Sequence, residues 1–258
     1  MSNDKISRLF SGWEETMIWS CLDGSMGEMI TLDSDSPECA AAQLGDFCFL
    51  AGVPDARLLD RISAPIITPR SREWEALIEK RFGNGAVRGT RYAIKKNTAF
   101  DRARLEKLAG APDGKYKIRE FDGEIYRIAT AEKWSRDFCA NFKNEEDFIR
   151  RGMGAAVVMD GRLVAGASSY SVYSGGIEIE VDTLPEHRNR GLASACAAAL
   201  ILKCLDSGCY PSWDAHDLRS VHLAEKLGYA MAGPYTVYTL RREENAALQV
   251  ACESENMI

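Results

Sequence analysis

The stretch that decides the fold is Thr183-Leu-Pro-Glu-His-Arg-Asn-Arg-Gly-Leu-Ala193, which joins an alternating segment to an apolar run. The segment before it, residues 177–183, places β-branched or apolar residues at every second position, which indicates a strand. The run after it, residues 192–205, contains no proline or glycine and is rich in alanine and leucine, which predicts a helix. The stretch is therefore a connection from a strand to a helix.

This connection has the features of an anion-binding turn. The first amide N–H groups of a helix lack partners within it, and the helix dipole adds partial positive charge at the same end. Gly191 and Ala193 keep side-chain bulk away, so that a phosphate can approach the backbone. Arg188 and Arg190 add positive charge. An ordinary strand-to-helix turn with solvated arginines is the alternative.

The pattern Pro185-x-x-Arg188-x-x-Gly191-Leu-Ala193 resembles the acetyl-CoA pyrophosphate loop of the GNAT N-acetyltransferase superfamily. The downstream sequence agrees with this resemblance. Residues 211–215 are typical of a short strand and residues 218–227 of a helix, and Gly228 provides a left-handed helix stop. The order of strand, phosphate helix, strand, helix and strand is similar to the second half of a GNAT domain.

Several segments further resemble one branch of the superfamily, which contains the zwittermicin A-resistance acetyltransferase and carries an extra N-terminal region. These segments are residues 21–24, 45–49, 151–154, 178–183, 191–193, 213–215 and 220–229. The resemblance implies an α/β (α+β) fold. Its sheet is expected to be GNAT-type, mixed and mostly antiparallel with a splayed central strand, and an N-terminal α+β extension is expected to precede it.

The resemblance and the breaker cluster at residues 110–114 predict three parts of the chain. Residues 1–124 form the N-terminal α+β region, residues 125–241 form the GNAT domain, and residues 242–258 form an acidic tail. Within them, the patterns predict strands at 45–51, 64–69, 88–96, 115–121, 154–159, 162–171 and 237–240, and helices at 71–80, 101–108, 124–132 and 144–151, with a further candidate helix at 36–44.

Composition narrows the class of protein. The 258 residues are 46% hydrophobic and 27% charged, with a net charge of −6 and no basic block of the kind that nucleic-acid binding needs. We expect a cytoplasmic monomer or homodimer with no nucleic-acid or membrane partner, because no membrane-span-length apolar run and no signal-peptide pattern is present. The eight cysteines contain no C-x-x-C pair, and with only three histidines we expect buried reduced thiols and no metal.

Three carboxylates, Glu178, Glu180 and Asp182, share one face of the strand at 177–183. A solvated edge-strand face is the alternative, but the resemblance makes this strand central, beside the cofactor arm. Carboxylates that face one cleft repel each other, which raises the pKa of at least one of them. Together they also attract a cationic substrate. We predict Glu180 as the catalytic base for an amine, with Glu178 as the next candidate. Substrate attraction without proton transfer is the alternative role of either residue.

The resemblance also implies a set of cofactor-binding residues, and a backbone N–H near residues 181–183 as the oxyanion donor. The set is Val181, Asp182, Thr183, Arg188, Asn189, Arg190, Gly191, Leu192, Ala193, Asp217 and Ser220. Two positions depart from the family pattern. Ala224 stands where many members have a tyrosine acid, which leaves Tyr229 and Ser220 as substitutes, and Asp217 stands where relatives often carry asparagine. Asp217 is also a suitable cap for the helix that begins at residue 218.

The resemblance implies an N-acetyltransferase that moves an acetyl group from acetyl-CoA directly to the amine of a small molecule. The competing hypothesis is a non-catalytic acyl-CoA-binding or sensing module with the same fold. Residues 168–170 are candidates for lining the acceptor pocket, although a polar edge strand is the favoured interpretation. Trp213 is expected in the core. A nucleotide-binding protein is disfavoured because the chain lacks a P-loop motif.

Overall fold

A computed structural model of the chain describes residues 2–110 and 116–241. The predicted acidic tail, residues 242–258, lies outside the described residues. The described residues divide into two compact units, one drawn from residues 2–13, 27–90 and 235–241 and the other from residues 14–26, 91–110 and 116–234. The predicted boundary at residue 124 falls inside the second unit.

In chain order the elements are α1 (Ser2–Leu9), α2 (Thr16–Asp23), β1 (Glu28–Thr31), β2 (Cys39–Leu44), β3 (Phe47–Gly52), α3 (Ala56–Leu59), β4 (Ile66–Pro69), α4 (Arg72–Phe82), β5 (Ala86–Ile94), α5 (Arg102–Ala109), β6 (Ile118–Glu120), α6 (Gly123–Ala131), α7 (Glu145–Arg151), β7 (Gly154–Met159), β8 (Arg162–Tyr173), β9 (Gly176–Thr183), α8 (Leu192–Asp206), β10 (Tyr210–Ser212), β11 (Asp214–Ala215), α9 (Leu218–Leu227) and β12 (Met231–Leu240). None of these described helices is long and apolar enough to cross a membrane.

The first unit is built on β1, β2 and β3, which pair antiparallel, with β4 parallel to β3. Its core includes Trp74 and Ile78 of α4, and the Trp74 indole donates a hydrogen bond to the carbonyl oxygen of Gly52 at 3.0 Å. The candidate helix at residues 36–44 is wrong, because residues 39–44 form β2. Every residue of β2 is buried between two partner strands, so tertiary packing overrides the helical preference of its alanines.

The second unit contains a five-stranded sheet in the order β10, β9, β8, β7, β6. The pairs β6–β7, β7–β8 and β8–β9 are antiparallel and β10–β9 is parallel, which confirms a mixed, mostly antiparallel sheet. The helix α8 packs against β7, β8 and β9, and α2 packs against β8 and β9. The predicted polar edge strand at residues 168–170 is wrong, because β8 lies between β7 and β9 and these three residues are buried.

Local signals set the connections of this unit as predicted. The turn from β7 to β8 has positive φ angles at Asp160 (50°) and Gly161 (75°), as a type I′ turn requires. Asn144 caps α7 by accepting the amide hydrogen of Asp147 at 2.9 Å. Gly228 ends α9 with a φ of 111°. The seven described cysteines are free thiols and six of them are buried.

Asp147 of α7 provides a test of this unit. Its buried carboxylate accepts hydrogen bonds from Arg150 and Arg151 at 2.7 Å and from the Lys143 amide at 3.3 Å. The Arg151 hydrogen bond, with the Lys143 amide and the arginine charges, lowers the pKa of Asp147 from 3.8 to about 2. The contribution of the ionised Asp147 carboxylate to the free energy of unfolding is therefore fully present above the ordinary aspartate pKa of 3.8 and is lost as the pH falls toward 2.

We expect Asp147→Asn to lower the free energy of unfolding at pH 7 by about 1–2 kcal/mol, because charge-assisted hydrogen bonds are lost. Urea denaturation from pH 7 down to about pH 2 measures this, and the difference from wild type should shrink below the ordinary aspartate pKa of ~3.9. Glu146→Gln, on an exposed neighbour in the same helical turn, is the control. A pH-independent difference would contradict the assignment.

Candidate active site

The sequence predicts a splayed central strand, and the structure contains one at β9. The parallel pair β9–β10 is in register from Tyr210 with Gly176 to Ser212 with Glu178. After Ser212 the chain turns away, and β11 pairs with β5 instead. Residues 179–183 of β9 remain paired with β8 only. We call the point at Glu178 and Ser212, where the two strands part, the fork.

Glu178 lies at the fork and is almost fully buried. The Thr16 hydroxyl of α2 donates a hydrogen bond to its Oε2 atom. The ammonium of Lys96 lies 3.9 Å from the same oxygen and donates a hydrogen bond to the carbonyl oxygen of Trp213 at 3.0 Å. The other oxygen, Oε1, and the Oγ atom of Ser212 are buried without a hydrogen-bond partner among the described residues. Glu178 is therefore a fixed part of a buried polar cluster.

Further charged groups complete this cluster. Arg91 pairs with Asp214 at 2.6 Å and lies 3.2 Å from the Nδ1 atom of His216. Glu15, just before α2, is also buried. Burial raises the pKa of Glu15 above its ordinary value, and Glu178 and Asp214 add to the rise, although Lys96 opposes it. Burial would lower the pKa of Lys96, but Glu178, Glu15 and Asp214 hold it above its ordinary value.

Glu180 follows the fork on the same face of β9. Burial raises the pKa of its carboxyl group to about 8, and the charges of Asp137 and Asp182 raise it further, while Arg91 opposes the rise. The side chain keeps partial access to solvent, because residue 180 is only half-buried. A carboxylate of this kind is a stronger base than an ordinary glutamate, and a general base works best when its pKa is near the working pH.

The predicted anion-binding turn follows β9. Gly191 precedes α8 with a left-handed φ of 76°, and no side chain caps the helix. Asn189 also has a left-handed φ, of 59°. Leu192 is buried and Ala193 half-buried, so the first turn of α8 offers backbone N–H groups beside small side chains. The residues and the backbone geometry of the turn fit a phosphate ligand.

The two arginines of this turn make contacts within the protein. Arg188 donates to the carbonyl oxygen of Thr183 at 3.0 Å and lies 3.6 Å from Asp182. Arg190 donates to the Tyr116 hydroxyl at 2.9 Å. The Asp182 carboxylate also accepts the Thr183 amide hydrogen at 2.6 Å. These contacts hold the end of β9 and the turn in place.

The remaining predicted residues lie near the start of α9. Asp217 caps α9 by accepting the Ser220 amide hydrogen at 3.0 Å, and Arg219 donates to it at 2.6 Å. The Ser220 hydroxyl accepts the indole N–H of Trp213 at 3.1 Å, and Trp213 is buried as expected. These contacts account for Asp217 as a helix cap.

Of the two substitute acids, Tyr229 is directed elsewhere. Its hydroxyl donates to the Pro211 carbonyl oxygen at 2.6 Å, and burial raises the pKa of the phenol well above its usual value. Ala224 itself is fully buried in α9. Within the described residues no group of three or more His, Cys, Asp or Glu is arranged to hold a metal ion.

Several residues of the site were not predicted from the sequence. They are Glu15, Thr16, Arg91, Lys96, Asp137 and Asp214. They come from segments outside β9, and no pattern in the sequence marks them as site residues, although Asp214 lies in one of the segments that resemble the family branch. Only the alternating carboxylates of β9 indicated that polar partners would be needed on that face.

Comparison with known proteins gives a family and a set of structural relatives. The GNAT acetyltransferase family profile matches residues 7–238. A GCN5-related N-acetyltransferase-like protein from Streptococcus suis 89/1591 has a TM-score of 0.90 and 45% identity, covering 93% of this chain and 98% of that chain. A GCN5-related N-acetyltransferase from Kribbella flavida, at a TM-score of 0.53 and 15% identity over 87% of this chain and 93% of that chain, shares the fold.

A curated relative from Bacillus subtilis (strain 168), named uncharacterized N-acetyltransferase YdfB, is 34% identical over 123 residues. The match covers 47% of this chain and 47% of that protein, so the chain matches about half the length of this relative. The match therefore supports the family over part of the chain.

The pKa of Glu180 makes a prediction about stability. With a pKa of about 8 in the folded protein instead of 4.5, the Glu180 carboxyl group stays protonated at a pH where the same group in the unfolded chain is ionised. The free energy of unfolding of wild type therefore falls as the pH rises between these two values. We expect Glu180→Gln to be more stable than wild type near pH 8 and about equally stable near pH 4. Urea midpoints across this range measure the difference.

Glu186→Gln, on an exposed glutamate of the following turn, is the matched control and should behave as wild type at every pH. A Glu180→Gln protein whose stability relative to wild type is the same at both ends of the pH range would show that the carboxyl group is not held protonated.

Proposed function

The chain belongs to the GNAT acetyltransferase family, a family of acyltransferases, and we propose that it moves an acetyl group from acetyl-CoA to the amine of a small molecule by direct transfer. One observation carries this proposal. The strand β9 parts from β10 after Glu178, and the short connection after it ends in the uncapped, left-handed turn at Gly191. An open strand edge is thereby followed in the chain by a turn that suits an anion.

The two features suit different parts of acetyl-CoA. Backbone N–H groups at residues 191–193 would bind the diphosphate at the start of α8, with Asn189 shaping the turn and Arg188 and Arg190 adding charge. The open edge at Val181 and Asp182 would contact the pantetheine arm and the developing oxyanion. Thr183 could take part only if its backbone groups were released, because its amide already donates to the Asp182 carboxylate and its carbonyl oxygen already accepts from Arg188. Asp217 and Ser220 would lie on the far side of this arm.

The proposed chemistry is a single displacement. The acceptor arrives as an ammonium with a pKa near ~10.4, so it must lose a proton before it attacks. Glu180 takes this proton, the amine nitrogen bonds to the thioester carbon, and the carbon–sulfur bond breaks with its electron pair remaining on sulfur. The nitrogen, which becomes positively charged in the attack, releases its second proton to solvent as the amide forms. With Ala224 in place of a tyrosine, coenzyme A leaves as the thiolate, whose pKa of ~8.5 permits departure without an acid. No side chain becomes acylated.

The contacts of the two glutamates favour Glu180 over Glu178 as the base. The Oε2 atom of Glu178 already accepts the Thr16 hydroxyl and lies beside Lys96, inside the buried cluster. Glu180 has the raised pKa and the partial exposure that proton exchange with solvent requires. We propose that Glu178 contributes negative charge to the site and that Glu180 accepts the proton.

Three finer statements are part of the same proposal. The chain is placed in the branch that contains the zwittermicin A-resistance acetyltransferase, on the segments that resemble it. It is expected to act in the cytoplasm. Its acceptor is expected to be a small cationic amine, because the half-buried carboxyl groups of Glu180 and Asp182 lie along the open edge of β9. It is expected to need no metal, because the proposed steps use only side chains and backbone groups.

Turnover distinguishes an enzyme from an acyl-CoA-binding module. We expect wild-type protein to release free thiol from acetyl-CoA with a panel of small primary amines, and kcat/KM to rise with pH and level off above about 8, where Glu180 is ionised. In Glu180→Gln we expect the rate to fall by roughly 10²–10⁴-fold and this pH dependence to disappear. Thiol detection with an acetyl-CoA-only blank measures both.

Binding of acetyl-CoA without thiol release across the panel would favour the binding module. A Glu180→Gln protein with unchanged kcat and raised KM would assign Glu180 to substrate attraction instead of proton transfer.

Gly191 tests the anion turn. We expect Gly191→Asp to weaken acetyl-CoA binding by more than about tenfold relative to Gly191→Asn, because the two side chains have the same shape but only aspartate places a negative charge at the phosphate. Asparagine is the matched control because it tolerates a left-handed φ better than most residues. Calorimetric titration measures the affinities, and equal affinities of the two variants would place the diphosphate elsewhere.

A further inference from the structure

The fork has a structural problem that the protein must solve. In a parallel pair each strand supplies hydrogen-bonding partners for the other, and buried backbone groups without partners are costly. The pair β9–β10 ends at Ser212, and the next residue, Trp213, lies between β10 and β11 and is buried. Trp213 is thus the first residue after β10 that has no partner in β9, and its carbonyl oxygen needs a hydrogen-bond donor from elsewhere.

Lys96 supplies the missing partner. Its ammonium donates to the Trp213 carbonyl oxygen at 3.0 Å and lies 3.9 Å from the Glu178 carboxylate. Trp213 belongs to one arm of the fork and Glu178 to the other, so a single side chain contacts both arms where they diverge. That side chain is 5% exposed, which is rare for a lysine and expensive unless the charge is paired.

The segment that carries Lys96 is itself fixed to β10. The hydroxyl of Tyr210, the first residue of β10, donates to the Lys95 carbonyl oxygen at 3.1 Å and accepts the Thr98 amide hydrogen at 3.3 Å. The backbone on both sides of Lys96 is therefore attached to the strand that Lys96 separates from β9. An attached lysine cannot withdraw to solvent without breaking these contacts.

We propose that Lys96 is a positioning residue that holds β9 and β10 apart at the fork, and thereby shapes the cleft that receives the acyl-CoA arm. The second part of the proposal rests on the proposed function, whereas the first part concerns the protein alone. The competing explanation is that Lys96 only neutralises Glu178. Under that explanation, a variant that lacks both charges should have the amide exchange and the acetyl-CoA affinity of wild type, even if a variant that lacks only one charge does not.

The double variant Lys96→Met with Glu178→Gln separates the two explanations. It removes the buried cation and its nearest carboxylate together, and Asp214 keeps Arg91 as its partner, so the fold should be retained. The Trp213 carbonyl oxygen nevertheless loses its donor. We expect amide hydrogen exchange to become about tenfold faster in residues 179–183 and 212–215, with exchange in α8 unchanged, because both arms lose their common anchor.

The same double variant is then titrated with acetyl-CoA. We expect its dissociation constant and its KM for acetyl-CoA to rise by about tenfold, the effect of one charge-assisted hydrogen bond. Lys95→Met, at the exposed neighbouring lysine, is the matched control and should match wild type in both measurements. If the methionine variant does not fold, Lys96→Leu with Glu178→Gln replaces it and should show the same changes, because leucine also has no hydrogen-bond donor.

Unchanged exchange in both arms of the double variant would overturn the positioning role, whatever the affinity for acetyl-CoA. Faster exchange in both arms with unchanged affinity would retain the fork and overturn its link to acyl-CoA binding. If wild-type protein binds no acetyl-CoA while the double variant exchanges faster, the proposed function fails and the role of Lys96 at the fork stands.

Discussion

The site depends on one constraint, which is that two paired strands must part inside a buried region without leaving backbone groups unsatisfied. The chain meets this constraint differently on each side of the fork. On one side, β11 finds a new partner in β5, and Lys96 donates to the Trp213 carbonyl oxygen at the residue between them. On the other side, residues 179–183 keep β8 as their partner and present an open edge. That open edge is what the site can use.

The polar cluster around the fork explains why two glutamates of one strand face differ in chemistry. Glu178 is held by Thr16 and faces Lys96 in the buried region. Glu180 lies two residues further along the open edge, where Asp137 and Asp182 add negative charge and burial already raises its pKa. The two glutamates therefore differ because Glu178 lies beside Lys96 at the fork, whereas Glu180 lies beyond it with other carboxylates nearby.

Features that depend on neighbouring residues, such as turns, helix caps and helix stops, could be predicted from the sequence. Features that depend on packing between distant segments could not. The turn at Asp160 and Gly161, the cap at Asn144 and the stop at Gly228 follow from residue types at fixed positions, and each is present. Residues 39–44 form a strand because of their neighbours on both sides, which no local pattern shows. Lys96 and Glu15 reach Glu178 from segments at least 82 residues away in the sequence, since 178 − 96 = 82. Their roles depend on the assembled fold, so the sequence alone gave no reason to select them.

The arginines of the anion turn illustrate the same distinction. Their sequence positions favour direct charge on a phosphate, yet Arg188 and Arg190 already donate to Thr183 and Tyr116. Rigid donors of this kind fix the path of the chain from β9 into α8. Under the proposed function, the attraction for a phosphate would then rest mainly on the uncapped backbone at Gly191 and the first amides of α8. Backbone geometry at the turn and strand separation at the fork are two consequences of how β9 ends, and the position of the site follows from both.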